Sequence, residues 1–161
     1  MLPYKKREPL SLINMQKRLF ALWGLASTGK TTTLKLIARE LLRQFPTAKT
    51  DISLDPIPDG DIDKIIVVVG SVKIGITTKG DPNSNLDERL KILVDEKCSI
   101  IFCATRTSGA TVEVVEAFEQ RNSFRATWVT NYQSGYEDER DFLNLRSAQD
   151  LVQLMRTMGR I

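Results

Sequence analysis

The stretch GLASTGKTTT, residues 24–33, decides the fold. Its first glycine is followed after four residues by Gly-Lys-Thr, which is the spacing G-x-x-x-x-G-K-[ST]. Glycine lets the main chain turn tightly, so that successive N–H groups point into one concave surface, and a helix that begins there adds its partial positive charge. Such a surface fits a phosphate group. The residues predicted to line it are Gly24, Ser27, Thr28, Gly29, Lys30, Thr31 and Thr32.

The residues on either side of this stretch predict a strand before it and a helix after it. The apolar run KRLFALW, residues 17–23, ends at a glycine, as a buried strand would. After the glycine-rich stretch, apolar residues recur at helical spacing as far as Pro46. They are Leu34, Ile37, Leu41 and Phe45. The order strand, loop, helix is the context that the phosphate-binding pattern requires.

The remainder of the chain alternates between strand and helix patterns. KIIVVV and VKIGITT, joined by Gly-Ser, predict a hairpin, and SIIFCATR and FRATWVTNY predict two more strands. Helices are predicted over LDERLKILVDEK, over ATVEVVEAFEQR, and from near Ser147 to just before Gly159. This alternation predicts an α/β fold: a three-layer sandwich with a mostly parallel sheet, one antiparallel hairpin strand at its edge, and helices on both faces. We expect residues 17–161 to form a single domain after a flexible basic leader, residues 1–16.

At Gly24, Gly29, Lys30 and Thr31 the chain resembles the P-loop NTPase superfamily. The resemblance is detailed over about ten residues and agrees with the general layout of residues 17–130. It implies a nucleoside triphosphate bound together with Mg²⁺. In that arrangement Lys30 would lie along the β- and γ-phosphates, and the Thr31 hydroxyl would coordinate the metal ion.

A second acid would help to hold the magnesium ion, and two places in the sequence offer one. Asp81 follows the predicted strand VKIGITT, and if that strand runs parallel to the first one, Asp81 lies at the same sheet edge as the phosphate-binding stretch. Asp95 and Glu96 follow KILV, which resembles a Walker B strand, although its apolar spacing fits a helix better. Asp81 is therefore favoured as a metal ligand and catalytic group, with Asp95 and Glu96 as the alternative.

Loops that follow parallel strands open onto the ligand edge of such a sheet. Arg106 lies in one of them and is predicted to stabilise charge on a transferred phosphoryl group, although a surface ion pair explains it equally well. Asn131 and Tyr132 lie in another and are candidates for contact with the base or a second substrate. The residues TKGD, 78–81, also match the [NT]-K-x-D pattern by which GTPases hold guanine, but they come early in the chain for that role. ATP is therefore favoured over GTP.

Three functions remain open at this point. The first is Mg²⁺-dependent hydrolysis of a nucleoside triphosphate, or nucleotide-gated action on a protein partner. The second is a kinase that transfers the γ-phosphoryl group to a small molecule or nucleotide, but its lid should carry several arginines, which residues 46–62 lack. The third is a non-catalytic nucleotide sensor or GTP-binding switch. The first is favoured, with Lys30, Asp81 and Arg106 as catalytic residues and with ATP and Mg²⁺ as ligands.

The amino-acid composition excludes some kinds of catalytic and metal site and limits the expected partners. The 161 residues include no histidine, which removes the usual general base and the usual zinc ligand. The net charge is +3, with five basic residues against one acidic residue in the first 18, so the leader is either a solvated arm, which is favoured, or a contact for nucleic acid. No apolar run is long enough for a membrane span and no secretory signal is recognised, so a cytoplasmic protein is expected, with Cys98 and Cys103 as core thiols.

Overall fold

The computed structural model describes residues 16–161 together with Pro3. The prediction of a flexible leader over residues 1–16 therefore lies almost entirely outside the described residues. In chain order the elements are β1 (Lys17–Trp23), α1 (Lys30–Gln44), β2 (Lys49–Thr50), β3 (Ile65–Val69), β4 (Val72–Ile76), α2 (Leu86–Asp95), β5 (Ile100–Thr105), α3 (Ala110–Asn122), β6 (Phe124–Val129), a 3₁₀ turn (Glu137–Glu139) and α4 (Arg140–Gly159).

The six strands form one mixed sheet in the order β2-β3-β4-β5-β1-β6. Strand β1 is parallel to both of its neighbours, β5 and β6, and β4 is parallel to β5. Strand β3 is antiparallel to both β2 and β4, so it alone opposes the common direction of the described strands. The predicted α/β class, the mostly parallel sheet and the β3–β4 hairpin are confirmed.

The prediction that the antiparallel strand lies at the edge of the sheet is wrong, because β2 pairs along its outer side. Strand β2 has only two residues, and it lies in a segment rich in proline and aspartate. A strand of two residues has no periodicity that a sequence pattern could reveal.

Alternate side chains of the strands enter two apolar clusters. In β1, Phe20 and Leu22 pack in one cluster with α1 and α4, whereas Leu19 and Ala21 pack in the other with α2 and α3. The rings of Phe20 and Phe102 stack in the first cluster with their centroids 5.0 Å apart. Because successive side chains of a strand point to opposite sides, this alternation fixes the register of the central strands. Replacing Phe20 by alanine would leave a cavity there and cost about 3–5 kcal/mol of stability.

Helix α4 begins at Arg140, seven residues before the predicted start near Ser147. Phe142 and Leu145, both in its first two turns, are exposed, so the apolar residues there do not follow the buried stripe that marks a helix in sequence. Cys98 and Cys103 are buried and free, as predicted for core thiols.

The carboxyl ends of β1, β4, β5 and β6 lie along one edge of the sheet because these four strands are parallel. The loops that leave this edge are residues 24–29 after β1, 77–85 after β4, 106–109 after β5 and 130–139 after β6. Strand β4 runs in the same direction as β1, so Asp81 follows a strand that ends at the same sheet edge as residues 24–29. None of the helices in the described part of the chain is long and apolar enough to cross a membrane.

Candidate functional site

The loop between β1 and α1, residues 24–29, curls back on itself. Ser27 and Gly29 both have positive φ angles, 58° and 90°. A side chain at Gly29 would collide with the Asn144 amide oxygen, so this position requires glycine for both its backbone and its surroundings. The first helical hydrogen bond runs from Thr33 N to Gly29 O over 2.9 Å. The loop therefore delivers the chain directly into the N-terminus of α1.

Lys30 folds back across this loop. Its Nζ donates to the carbonyl oxygens of Gly24 and Leu25 at 2.8 and 2.6 Å, and its side chain is 7 % exposed. Burial lowers the pKa of Lys30, Arg106 lowers it further, and Asp81 acts in the opposite direction. Neutral carbonyl oxygens thus hold the ammonium group beside the loop amides. An anion at this place would accept stronger hydrogen bonds from the ammonium group than these carbonyls do.

The Thr31 hydroxyl lies among oxygen atoms from two other loops. Its Oγ1 is 3.1 Å from Asp61 Oδ1 and 3.4 Å from the carbonyl oxygen of Thr78. Hydroxyl, carboxylate and carbonyl oxygens are the hard ligands that Mg²⁺ prefers, so these side chains fit the metal ion implied by the sequence. Within residues 16–161, no three His, Cys, Asp or Glu side chains form a metal-binding group, and a Mg²⁺ ion would complete its shell with water and phosphate oxygens.

Asp61 belongs to residues 51–64, which we call the aspartate loop. Its neighbour Ile62 exchanges hydrogen bonds with Thr78: Ile62 N donates to Thr78 Oγ1 at 2.8 Å, and Thr78 N donates to Ile62 O at 3.1 Å. Thr78 is fully buried. These bonds hold Asp61 beside Thr31. Asp61 was not predicted from the sequence. The repeated aspartates of DGDID could have indicated a metal ligand, but they are equally typical of a solvated turn.

Asp81 and Arg106 contact each other. Arg106 donates through one of its terminal nitrogens to Asp81 Oδ1 at 2.5 Å, and the Asp81 side chain is 68 % exposed. The structure thus brings these two predicted residues together, in an ion pair at the cavity. Arg89, almost fully buried, holds the loop that carries Asp81 by donating to Thr77 Oγ1 and to Lys79 O at 3.0 and 2.9 Å.

Lys30, Thr31, Asp61, Asp81 and Arg106 all line one cavity of about 380 Å³ at the carboxyl edge of the sheet. It is lined by Ala26, Ser27, Thr28, Gly29, Lys30, Thr31, Thr32, Asp61, Thr78, Gly80, Asp81, Ala104, Arg106, Arg140, Asp141 and Asn144. Gly24 lies behind the loop, where its carbonyl accepts from Lys30. Asp61 and the α4 residues Arg140, Asp141 and Asn144 are polar lining groups that were not predicted from the sequence.

Asp95 and Glu96 lie elsewhere. KILVDE is part of α2 and its end, not of a strand, and Asp95 is the last residue of that helix. Glu96 pairs with Lys64 at 3.3 Å, and its carbonyl accepts from Lys73. The helical interpretation of this segment is confirmed. Asp95 and Glu96 therefore do not follow a strand, as a Walker B acid would.

The loop after β6 and the start of α4 hold the loop between β1 and α1 in place. Asn131 is 3 % exposed and donates to Thr28 O at 2.5 Å, and Arg140 donates to Ser27 O at 2.8 Å. Tyr132 donates its hydroxyl proton to Asp150 at 2.7 Å, and this hydrogen bond raises the pKa of Tyr132. Asn131 and Tyr132, proposed from sequence as contacts for a base, are thus engaged with the protein.

Comparisons with protein-family models, with curated proteins and with solved structures gave no match for this chain. The functional interpretation therefore depends on the residues of the cavity. They combine loop amides at a helix N-terminus, a lysine, two arginines, several hydroxyls and three carboxylates, which is a set able to hold a polyphosphate ester and a divalent cation.

Proposed function

We propose that residues 17–161 form a P-loop NTPase domain, a three-layer sandwich that binds ATP with Mg²⁺ and hydrolyses it, alone or to gate the action of a protein partner in the cytosol. The observation that carries the proposal is the convergence of Lys30, Thr31, Asp61 and Arg106 on one cavity beside the curled loop. Lys30 and Thr31 belong to the glycine-rich motif, and two other loops supply Asp61 and Arg106.

The amides of residues 26–30 and the Lys30 ammonium group bind the phosphate chain. Lys30 exchanges its bonds with Gly24 O and Leu25 O for charged phosphate oxygens, which are stronger acceptors than neutral carbonyls. Thr31 and Asp61 would hold Mg²⁺, which supplies charge neutralisation for the β- and γ-phosphate oxygens when it is bound. Positioning and charge, rather than a covalent intermediate, then account for catalysis, in agreement with a sequence that has no histidine.

Arg106 and Asp81 complete the site at its γ-phosphate end. The guanidinium group stabilises the negative charge that spreads over the transferred phosphoryl oxygens. Asp81, more than half exposed at the mouth of the cavity, helps to orient the attacking water. Hydrolysis is favoured over transfer because the aspartate loop, whose Asp61 lines the cavity, offers acids and no arginine to close over an acceptor.

The test is to incubate the full chain with ATP or GTP, with and without Mg²⁺, and to measure free phosphate. We expect Mg²⁺-dependent release from ATP that a panel of small acceptors leaves unchanged. Label from γ-³²P-ATP that appears on one acceptor instead would make the protein a kinase. Binding without turnover, measured by calorimetry, would make it a sensor, and failure of both triphosphates to bind would overturn the proposal.

A further inference from the structure

A second cavity adjoins the first, along a groove between α1 and α4. Its volume is about 590 Å³, within the range of about 300–1,000 Å³ that small-molecule sites occupy. The residues that carry the argument are Thr32, Leu36, Arg39, Asp141, Leu145 and Gln149. Thr32 and Asp141 line both cavities, so the groove and the phosphate cavity are continuous.

The places of Thr31 and Thr32 on α1 would direct a bound phosphate chain toward this groove. Thr31 faces Asp61 and Thr78, where the metal ion and the γ-phosphate end would lie. Thr32 is one residue further along α1 and is therefore rotated by about 100° around the helix axis, away from those acids. A triphosphate whose far end lies at Thr31 and Arg106 must leave the loop on the Thr32 side, so its nucleoside emerges at the mouth of the groove.

The groove has the chemistry of a nucleoside site. Residues 32 and 36 on α1, and 141, 145 and 149 on α4, repeat at a spacing of four, so each helix turns one continuous ridge toward the groove. Leu36 and Leu145 offer apolar surface for the flat faces of a base, and Leu145 is 43 % exposed although it is apolar. Asp141 and Gln149 offer hydrogen-bond partners for the edge of a base or for ribose hydroxyls.

The charges of the groove balance, as an uncharged nucleoside requires. Arg39 and Arg43 face it together with Glu40 and Asp141. Glu40 already accepts from Arg43 at 2.9 Å and from Gln44 at 2.8 Å. A further phosphate would find Arg43 already paired with Glu40, whereas a neutral ring meets no net charge.

The cavity on the other side of the loop is less suitable. It lies between Ser27, Thr28 and the loop after β6, and its volume is about 90 Å³, too small for a nucleoside. Tyr132 and Arg140, which line it, are engaged with Asp150 and with Ser27 O.

From this geometry we infer that the nucleoside of the bound triphosphate lies in the α1–α4 groove, between Leu36 and Leu145. The inference rests on the proposed function. It moves base recognition from the loop after β6, where the sequence suggested it, to side chains that project from two helices.

The test compares ATP with inorganic tripolyphosphate, which has the same phosphate chain and no nucleoside. Affinities of the full chain for both are measured by calorimetry with Mg²⁺ present. Leu145→Ala and Leu36→Ala should each weaken ATP about fivefold to tenfold and leave tripolyphosphate unchanged, because each removes apolar surface that only the nucleoside contacts. Leu154→Ala, the same change at an exposed leucine farther along α4, should alter neither ligand.

The outcomes separate the two proposals. If ATP and tripolyphosphate both bind but the groove variants leave ATP affinity unchanged, the groove assignment fails and the proposed function stands. The assignment also fails if ATP binds no more tightly than tripolyphosphate, or if Leu145→Ala weakens both ligands equally. If neither ligand binds the unaltered protein, the proposed function itself is overturned, and the groove assignment with it.

Discussion

The phosphate-binding loop and the aspartate loop reach the same cavity by different routes. The first loop has its glycines, Lys30 and Thr31 close together in sequence, so their spacing determines their relative positions. In the second, Asp61 meets Thr31 across a separation of 30 residues, and it does so only because Ile62 pairs with Thr78 at the end of β4. A motif therefore specifies the proposed anion half of this site, whereas the proposed metal half depends on how the chain returns to the sheet.

The largest expected effect lies in the motif. Lys30→Ala should lower kcat/KM for ATP by about a thousandfold, because it removes a preorganised positive charge from the phosphate site. Circular dichroism should show an unchanged fold, since the hydrogen bonds of the Lys30 ammonium group go to loop carbonyls and not to the core. Lys91→Ala, at an exposed position of α2, serves as the control. Full activity in Lys30→Ala would show that this loop is not part of the catalytic site.

Asp61→Asn tests the other half of the comparison. The amide keeps the shape of the side chain but loses the negative charge, so the Mg²⁺ requirement should rise and turnover at low Mg²⁺ should fall about a hundredfold. Phosphate release is measured as a function of Mg²⁺ concentration, with Asp59→Asn, exposed in the same loop, as the matched control. If the two variants show the same Mg²⁺ dependence of phosphate release, Asp61 does not hold the metal ion.

Asp81→Asn should have a smaller effect, about tenfold in kcat, with little change in the Mg²⁺ requirement. Asp81 contacts Arg106 at the cavity mouth, whereas Asp61 is the carboxylate that accepts from Thr31. Asp95→Asn, at the end of α2, should behave like the unaltered protein. A Mg²⁺ requirement that rises more in Asp81→Asn than in Asp61→Asn would return the metal role to the residue that the sequence favoured.

The smallest effect on turnover, about threefold, is expected for Thr78→Val. This change keeps the volume but removes the oxygen that accepts from Ile62 N, so the aspartate loop loses a fixed position. Leaving this N–H unpaired should cost about 1–3 kcal/mol in the free energy of unfolding, measured in urea. Thr47→Val, at an exposed site, provides the comparison. Unchanged stability in Thr78→Val would show that the loop is held by other contacts.

Local patterns predicted the elements of the fold well where a pattern was long enough. Strand β1 and the β3–β4 hairpin lie where their apolar runs placed them, and α1 begins at Lys30 as the motif requires. The first turns of α4 were not recognised because Phe142 and Leu145 face outward, and β2 is too short to have a period. Asp61 was missed for a related reason, since an acid in a turn-rich segment gives no sign of what it will touch.

The sequence by itself determined the glycine-rich loop between β1 and α1, the α/β alternation and the candidate roles of Lys30 and Thr31, because these follow from spacing and periodicity along a few neighbouring residues. Only the tertiary structure decided that β4 is parallel to β1, that Asp61 lies beside Thr31, and that a groove between α1 and α4 continues the cavity. Strand order and helix packing bring distant residues together by burying both faces of the sheet, and no local pattern encodes which distant residues will meet.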